Sequence, residues 1–162
     1  MAKEIKLTKG KFAIVDDADY EYLNQWKWGI SSNGKGTYYA VRFDYSIKGV
    51  KLCIRMHRQI MNATKGYVVD HINQYTLDNR RINLRVCTHT QNLHNRHKNI
   101  NNTSGFKGVG WCKTYEKWRA KIWLNSKCYH VGYYINLIDA ARAYNEAAIK
   151  YHGEFANLNK ID

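Results

Sequence analysis

The order of hydrophobic and polar positions predicts short elements throughout the chain. In the first stretch, Phe12-Ala13-Ile14-Val15 is a short apolar run, and the acidic positions 16–19 can cap a brief helix that ends near Trp26 and Trp28. Gly34-Lys35-Gly36 predicts a turn, and extended runs follow at 37–45 and 50–56. We expect most of the aromatic side chains in this stretch to lie in a core.

The second stretch alternates strand-like runs with clusters of polar residues. Residues 66–69 and 84–88 predict two strands, and a polar loop separates them. The sequence Thr88-His89-Thr90-Gln91 is a capping box and predicts a short helix that ends at about Arg96. Residues 98–104 are polar and lack periodicity, as is typical of a linker. The predicted order is therefore strand, polar loop, strand and helix.

Beyond residue 104 the pattern predicts three strands, at 107–113, 118–124 and 127–134, with a turn at Asn125-Ser126. A helix follows, with Asn136 as its cap and Gly153 as its stop. Its apolar stripe comprises Ala140, Tyr144, Ala147, Ala148 and Tyr151. Because alanines are small, this stripe indicates close packing of the helix against a sheet.

The charge of the chain narrows the classes of partner. The 162 residues include 26 Lys and Arg against 13 Asp and Glu, which gives a formal net charge of +13. The excess is spread evenly, at +4 in 1–56, +5 in 57–103 and +4 in 104–162. This distribution favours binding along a nucleic-acid backbone, with a solvated basic surface as the alternative. Because no apolar run is long enough to span a membrane and no leader pattern opens the chain, we expect a cytoplasmic protein.

The cysteines give no sign of a zinc site. Cys53, Cys87, Cys112 and Cys128 form no C-x-x-C pair, and tetrahedral zinc usually draws its ligands from such pairs. We therefore expect no zinc, and reduced thiols that are mostly buried.

The pair Asp70-His71 follows a predicted strand and suits phosphodiester hydrolysis. That reaction needs a base for water and a cation for the leaving oxygen. Because consecutive side chains on an extended strand point to opposite sides, one of the pair can face a metal while the other faces the attacking water. Asn92 on the predicted helix can complete the ligands, and oxygen donors favour Mg²⁺ or Mn²⁺. An isolated Asp-His dipeptide is ordinarily structural, so the functional interpretation depends on Asn83, Asn92 and the basic charge.

Three segments, 69–73, 77–87 and 91–96, together resemble the HNH motif of phage and intron-encoded homing endonucleases, and Met56-His57-Arg58 resembles the lead-in of these phage enzymes. The resemblance implies a ββα-metal nuclease core with one bound Mg²⁺ or Mn²⁺ per active site. It also implies His71 as the general base, Asp70 and Asn92 as metal ligands, and Asn83 as the residue that braces the loop carrying the histidine. The implied origin is a phage or mobile element in a bacterial host.

A second resemblance covers residues 104–159. Segments 105–109, 117–122, 131–134, 140–148 and 153–159 are similar to the Apetala/ethylene-response-factor DNA-binding domain. That family places a three-stranded sheet in the major groove and backs it with one helix. Gly110 and Cys112 stand where the plant proteins often have arginines, and Trp123 replaces another basic residue, so the plant target sequence is not implied.

A set of basic and aromatic residues is expected to contact DNA: Arg58, Arg80, Arg81, Arg85, Arg96, Lys107, Trp111, Lys113, Arg119, Lys121, Trp123 and Lys127. Surface arginines without a partner are the alternative for the basic members. Trp118 is expected in the core, whereas Trp111 and Trp123 could contact either DNA or protein. For His57, phosphate contact and structural packing both stay open.

The expected fold class is α+β with a small ββα-metal (HNH) core. We expect an N-terminal β-rich segment (1–56), the HNH nuclease core (57–97), a linker (98–104) and an ethylene-response-factor-like DNA-binding domain (105–160), the last with a three-stranded antiparallel sheet packed on one helix. The expected activity is metal-dependent DNA endonuclease on double-stranded DNA, by a monomer without membrane contact. A DNA-binding protein with a degenerate nuclease scaffold, and an RNA-directed protein, are the alternatives.

Overall fold

A computed structural model describes residues 1–34 and 36–161, so Lys35 and Asp162 lie outside the described residues, and with Lys35 the middle of the turn expected at 34–36. The chain forms two compact units, Met1–His89 and Thr90–Asp162. The architecture is mixed α/β, with several small sheets and few helices. Among the described residues, no helix is long and apolar enough to cross a membrane.

The first unit contains three antiparallel sheets and two short helices. Strands β1 (Ala2–Lys6) and β2 (Phe12–Asp16) pair, and helix α1 (Asp17–Asn24) follows. Strands β3 (Gly29–Ser32), β4 (Tyr38–Asp44) and β5 (Leu52–Arg55) form a sheet in that order, and helix α2 (Met56–Ile60) follows directly. Strands β6 (Val68–His71) and β7 (Leu84–Cys87) pair after it.

Alternating apolar positions build the core of this unit. Ala13 and Val15 on β2 are fully buried, together with Leu23 of α1 and Trp28. The Trp28 indole N–H donates to the Leu23 carbonyl at 2.8 Å, so its burial leaves no orphaned donor. The predicted helix after position 16 and the extended runs are confirmed. Strands β1 and β3 and helix α2 were not predicted, because four or five residues give too little periodicity.

The second unit contains one three-stranded sheet packed on the longest helix. After helix α3 (His89–His94), the strands are β8 (Val109–Cys112), β9 (Lys117–Leu124) and β10 (Lys127–Tyr134), in the order β10-β9-β8, and helix α4 is Leu137–His152. The predicted strands, the helices and the turn are confirmed. Asn125 and Ser126 both have positive φ angles, 48° and 63°, which is the backbone of a two-residue hairpin turn.

Helix α4 packs closely on the sheet because its inner face is small. Asn136 caps it by accepting from the Ile138 N–H at 2.7 Å. Gly108 on the sheet side has a φ of +75°, and a Cβ there would overlap the Tyr144 ring, so this position requires glycine. The prediction was wrong for Tyr151, which is 47% exposed. Ala141 and His152 also lie on the buried face of the helix, where they are 0% and 8% exposed.

The four cysteines are free thiols, as expected, but their burial differs from the prediction. Cys87 is buried and Cys112 is half-buried, whereas Cys53 and Cys128 are exposed. Cys53 lies on β5 and Cys128 on β10, which are both edge strands of their sheets. Positions on the outer side of an edge strand have fewer neighbours to cover them, so these two thiols reach the surface.

Candidate active site

The hairpin of β6 and β7 places the predicted acid and base at a strand end. In register, Asp70 lies opposite Arg85 and His71 lies opposite Leu84. Asp70 is 6% exposed and His71 is 4% exposed, so both polar side chains are buried. Burial of two such groups is costly unless each has polar partners, and the surrounding loop provides them.

Residues 72–83, which we call the catalytic loop, are held in place by Asn83. The Asn83 side-chain oxygen accepts from the Asn73 backbone N–H at 2.9 Å, and its amide nitrogen donates to the Asp78 carbonyl at 2.8 Å. Its backbone carbonyl also accepts from the Ile72 N–H at 2.9 Å. One buried side chain therefore joins the start and the end of the loop to its middle.

The N-terminal residues fasten the catalytic loop from the other side. The Ile14 N–H on β2 donates to the Leu77 carbonyl at 2.8 Å, and the Ile14 carbonyl accepts from the Asn79 N–H at 2.7 Å. The Thr76 hydroxyl donates to the Tyr38 carbonyl at 2.6 Å. The strands near the N-terminus are thus part of the scaffold of the site.

The orientation of His71 is fixed by Asn79, a residue that the sequence pattern did not single out. The Asn79 amide nitrogen donates to the Leu77 carbonyl at 3.1 Å, so its oxygen faces His71 Nε2 at 3.3 Å. The amide oxygen can accept a hydrogen bond from an Nε2–H, and in the tautomer that carries this proton Nδ1 is the basic nitrogen of the neutral ring. Burial lowers the pKa of His71, although Asn79 and the carboxylates of Asp70 and Asp78 oppose that shift. A neutral buried imidazole is the form that a general base requires.

Asp70 is paired with the residue opposite it on the hairpin. Arg85 donates to Asp70 Oδ2 from Nε at 3.0 Å and from a terminal nitrogen at 2.7 Å. A carboxylate and an amide oxygen are hard donors, so Asp70 and Asn92 are of the right chemical type for Mg²⁺ or Mn²⁺. Asn92 lies half-buried on α3. Among the described residues, no group of three His, Cys, Asp or Glu side chains could hold a metal ion. The pair Asp70 and Asn92 is a different set of donors, because one of its two members is an amide.

Four arginines that were expected to contact DNA have protein partners in the first unit. Arg85 pairs with Asp70, Arg80 pairs with Asp78 at 2.7 Å, and Arg81 pairs with Asp19 at 2.7 Å. Arg58 donates to three backbone carbonyls, those of Tyr67, Ala63 and Thr64. The bidentate bond from Arg80 is the main cause that lowers the pKa of Asp78. These guanidinium groups connect the elements around the site. The charges of Arg80, Arg81 and Arg85 are each neutralised by a carboxylate.

His57 packs against the predicted base. Its ring centroid lies 5.0 Å from that of His71 in an edge-to-face arrangement, and 5.5 Å from that of Tyr39. It is 4% exposed, and its Nδ1 has no hydrogen-bond partner among the described residues. Burial lowers the pKa of His57 to about 3, and the charges of His71, Arg55 and Arg58 add to that shift. His57 is therefore neutral wherever the protein is folded near neutral pH.

The buried neutral ring of His57 predicts an acid sensitivity of folding. Because the folded pKa lies below the unfolded value of 6.5, its contribution is complete above pH 6.5 and is lost as the pH falls toward 3. One proton is worth about 1.4 kcal/mol per pH unit, so we expect the wild type to lose roughly 2 kcal/mol more stability between pH 7.5 and 5.0 than His57→Gln does. Urea unfolding of both proteins at the two pH values measures this, and equal losses would contradict it.

In the second unit, one side of the sheet is basic. Arg119, Lys121 and Trp123 alternate on β9 with Ala120 and Ile122, which face α4. The basic side lines a cavity of about 730 Å³ together with Arg96, Lys98 and Lys107. No Asp or Glu is among the described residues that line it. Its electrostatic character therefore fits a polyanion.

The other expected contacts of this unit lie elsewhere. Lys107 donates to the carbonyls of His94 and Arg96, at 2.6 Å each, and burial lowers its pKa to about 8. Trp111 lies opposite Trp118 in register and packs edge-on against it, with centroids 5.1 Å apart, on the side of the sheet that faces α4. Lys113 and Lys127 are exposed at strand ends. Trp118 is half-buried against the core, as expected.

Comparison with known proteins agrees with the site. A model of the HNH endonuclease family matches residues 63–94. Protein 3.8 of Escherichia phage T7 is 32% identical over 109 residues, which cover 64% of this chain and 89% of that protein. An uncharacterized HNH endonuclease of Acanthamoeba polyphaga mimivirus is 29% identical over 160 residues, which cover 95% of this chain and 78% of the relative. No solved structure matches.

Residues 63–94 therefore match the HNH endonuclease family, and a viral protein described as an HNH endonuclease is similar over most of the chain. The matched segment contains the β6–β7 hairpin, the catalytic loop and α3. The two relatives are viral proteins. The match of this segment to the HNH endonuclease family supports a nuclease activity.

Proposed function

We propose that the protein is a metal-dependent DNA endonuclease of the homing type, from a phage or mobile element, that acts as a monomer in the cytoplasm of a bacterial host. The observation that carries the activity is the state of His71, which is buried at a strand end, neutral, and held through Nε2 by Asn79. In the proposed mechanism the imidazole of His71 takes the proton from the attacking water. Asn83 preserves the arrangement by bracing the catalytic loop.

The proposed metal ligands are Asp70 and Asn92. A divalent ion such as Mg²⁺ or Mn²⁺, when bound, stabilises the negative charge on the leaving oxygen. Arg85 holds the Asp70 carboxylate in one orientation, and His71 beside it removes the proton from the attacking water. His57 and the catalytic loop bury the imidazole of His71 and keep bulk water away from it. The pKa of His71 is therefore determined by the surrounding protein groups.

We further propose that the second unit binds the target DNA as an ethylene-response-factor-like domain. The carboxylate-free cavity beside Arg119, Lys121 and Trp123 supports this, because uncompensated cations attract phosphate and an exposed indole can stack on sugars or bases. Arg96 lines the same cavity, and Lys113 and Lys127 add exposed positive charge at strand ends. Specificity would then come mainly from outside the nuclease core.

The double variant Arg119→Gln/Lys121→Gln tests this second role. We expect DNA binding on the order of tenfold weaker, and a slope of log affinity against log salt that is smaller by about 2, because two phosphate contacts are removed. The matched control is Lys150→Gln/Lys160→Gln, which removes the same charge from exposed positions outside β9. Titration of a labelled duplex over a range of salt measures both quantities. Equal losses in the two variants would contradict a specific role for β9.

Incubation of supercoiled plasmid with purified protein tests the activity. In the presence of Mg²⁺ or Mn²⁺ we expect conversion to open circles or linear DNA, and chelation by EDTA should stop it. The ratio of the two products distinguishes a nickase from a double-strand cutter. Inactivity with several divalent metals would favour a DNA-binding protein with a degenerate scaffold. Preferential cleavage of structured RNA in competition with duplex DNA would contradict the proposed substrate.

A further inference from the structure

The sheet β3–β4–β5 carries a strip of aromatic and basic residues beside the active site. Tyr39 and Phe43 lie on the same side of β4 because they are four residues apart on a strand. Arg55, opposite Val41 in register, lies over the Tyr39 ring, 5.6 Å from its centroid. Lys51 lies over the Phe43 ring at 4.1 Å. We call Tyr39, Phe43, Lys51 and Arg55 the β4–β5 strip.

The strip lies on the side of β4 opposite Ala40, and Val41, between Tyr39 and Phe43 on the strip side, is buried at 3% exposed. The opposite side of β4 is the core side, where Ala40 is fully buried and Arg42 lies over the Trp26 ring at 4.2 Å. On the strip side, Phe43 is 46% exposed, and both Lys51 and Arg55 are exposed. Phe43 is therefore a large aromatic side chain that stays exposed beneath Lys51. Packing within the first unit does not explain this exposure.

Uncompensated charge distinguishes the strip from the other cations near the active site. Arg80, Arg81 and Arg85 each pair with a carboxylate. Neither Lys51 nor Arg55 makes an ion pair within residues 1–34 and 36–161. The cross-strand partners on the strip side, Ser31 and Cys53 among them, carry no negative charge. The strip is therefore a positive surface that is connected to His71 through the ring of Tyr39.

That connection runs through Tyr39. The centroid of the Tyr39 ring lies 6.2 Å from that of His71 and 5.5 Å from that of His57. The guanidinium group of Arg55 lies over the same tyrosine ring. The buried Nδ1 of His57 has no hydrogen-bond partner within the described part of the chain. A polar atom that can still form a hydrogen bond therefore lies beside Tyr39, at this end of the strip. From Tyr39 to Phe43 the strand extends about 13 Å. Since a duplex carries one negative charge per roughly 1.7 Å of its axis, a strip of this length faces several phosphates.

We propose that the β4–β5 strip binds the sugar–phosphate backbone of the DNA substrate beside the bond that is cleaved. Arg55 and Lys51 pair with phosphates, and the rings of Tyr39 and Phe43 hold those two cations in position and pack on the sugars. The proposal rests on the proposed function, because it names DNA as the occupant. It assigns to the N-terminal segment a role in placing substrate against His71, separate from target binding by the second unit.

The test compares two double variants of the full chain. Lys51→Gln/Arg55→Gln removes the charge of the strip, and Lys6→Gln/Lys27→Gln removes the same charge from exposed positions that make no ion pair among the described residues. Binding of a labelled duplex is titrated against salt in EDTA. For the strip variant we expect binding on the order of tenfold weaker and a salt slope smaller by about 2, whereas the control should change much less. The charge-preserving variant Lys51→Arg/Arg55→Lys should restore the slope.

Equal losses in the two Gln variants, or no recovery in the charge-preserving one, would overturn the proposal. A loss confined to a structured RNA probe would overturn it as well, since the occupant would then be RNA. In Mg²⁺, the strip variant should raise KM for cleavage with little change in kcat. Because binding is measured without metal, a wild type that binds duplex DNA through the strip but never cleaves would contradict the proposed function alone.

Discussion

Replacement of His71 by alanine is expected to lower the single-turnover rate of DNA cleavage by about 10²–10⁴-fold, the range that a positioned general base contributes. Duplex binding in EDTA should stay close to that of the wild type, because His71 is 4% exposed and contacts Asn79 and the rings of His57 and Tyr39 inside the first unit. The loss would therefore appear in the chemical step.

The matched control for that experiment is His89→Ala. His89 is exposed at the start of α3 and makes no aromatic contact among the described residues. We expect cleavage by this variant within a few-fold of the wild type. Equal rates for His71→Ala and wild type would show that another group removes the proton, and equal losses in both variants would point to general damage.

Replacement of Asn83 by alanine is expected to destabilise the first unit by about 2–4 kcal/mol. The change leaves the Asp78 carbonyl and the Asn73 N–H without the partner that now lies at 2.8 and 2.9 Å, and unsatisfied buried groups cost about 1–3 kcal/mol each. Cleavage should fall as well, since the loop that places Asn79 against His71 loses its brace. Urea unfolding and single-turnover cleavage of the same preparation measure the two effects.

Asn24→Ala is the control for stability. Asn24 is exposed at the end of α1, so its removal should change the free energy of unfolding by no more than about 0.5 kcal/mol. A loss below about 1 kcal/mol for Asn83→Ala would contradict the bracing role. Loss of cleavage without loss of stability would instead indicate that Asn83 contacts the substrate.

The sequence predicted the local elements around the site because their signals are local. The strands that flank residues 70–84 appear as apolar runs, the capping box marks the start of α3, and Asn125-Ser126 has the turn chemistry of a hairpin. The long helix was predicted for the same reason, since sixteen residues provide several turns of periodicity and both ends carry caps.

The partners of the arginines could not be predicted in the same way. Asp19 and Arg81 are 62 residues apart along the chain, and only the fold brings α1 to the end of the catalytic loop. The same holds for His57, whose ring meets His71 although fourteen positions separate them in sequence. A charged side chain in a polar segment looks like a phosphate contact until its carboxylate partner is located. Asn79 was overlooked because the catalytic loop contains several asparagines, and composition does not indicate which one faces the histidine.

The most direct test of the central claim is the mapping of cleavage ends, strand by strand, on a duplex target that the wild type cuts. Both 5′-labelled strands are resolved after single-turnover reaction in Mg²⁺ with wild type, His89→Ala and His71→Ala prepared in parallel. We expect the first two proteins to give the same discrete ends, and His71→Ala to give none above the EDTA control in the same time. Identical ends from His71→Ala, or no ends from the wild type with any divalent metal, would contradict an endonuclease centred on Asp70 and His71.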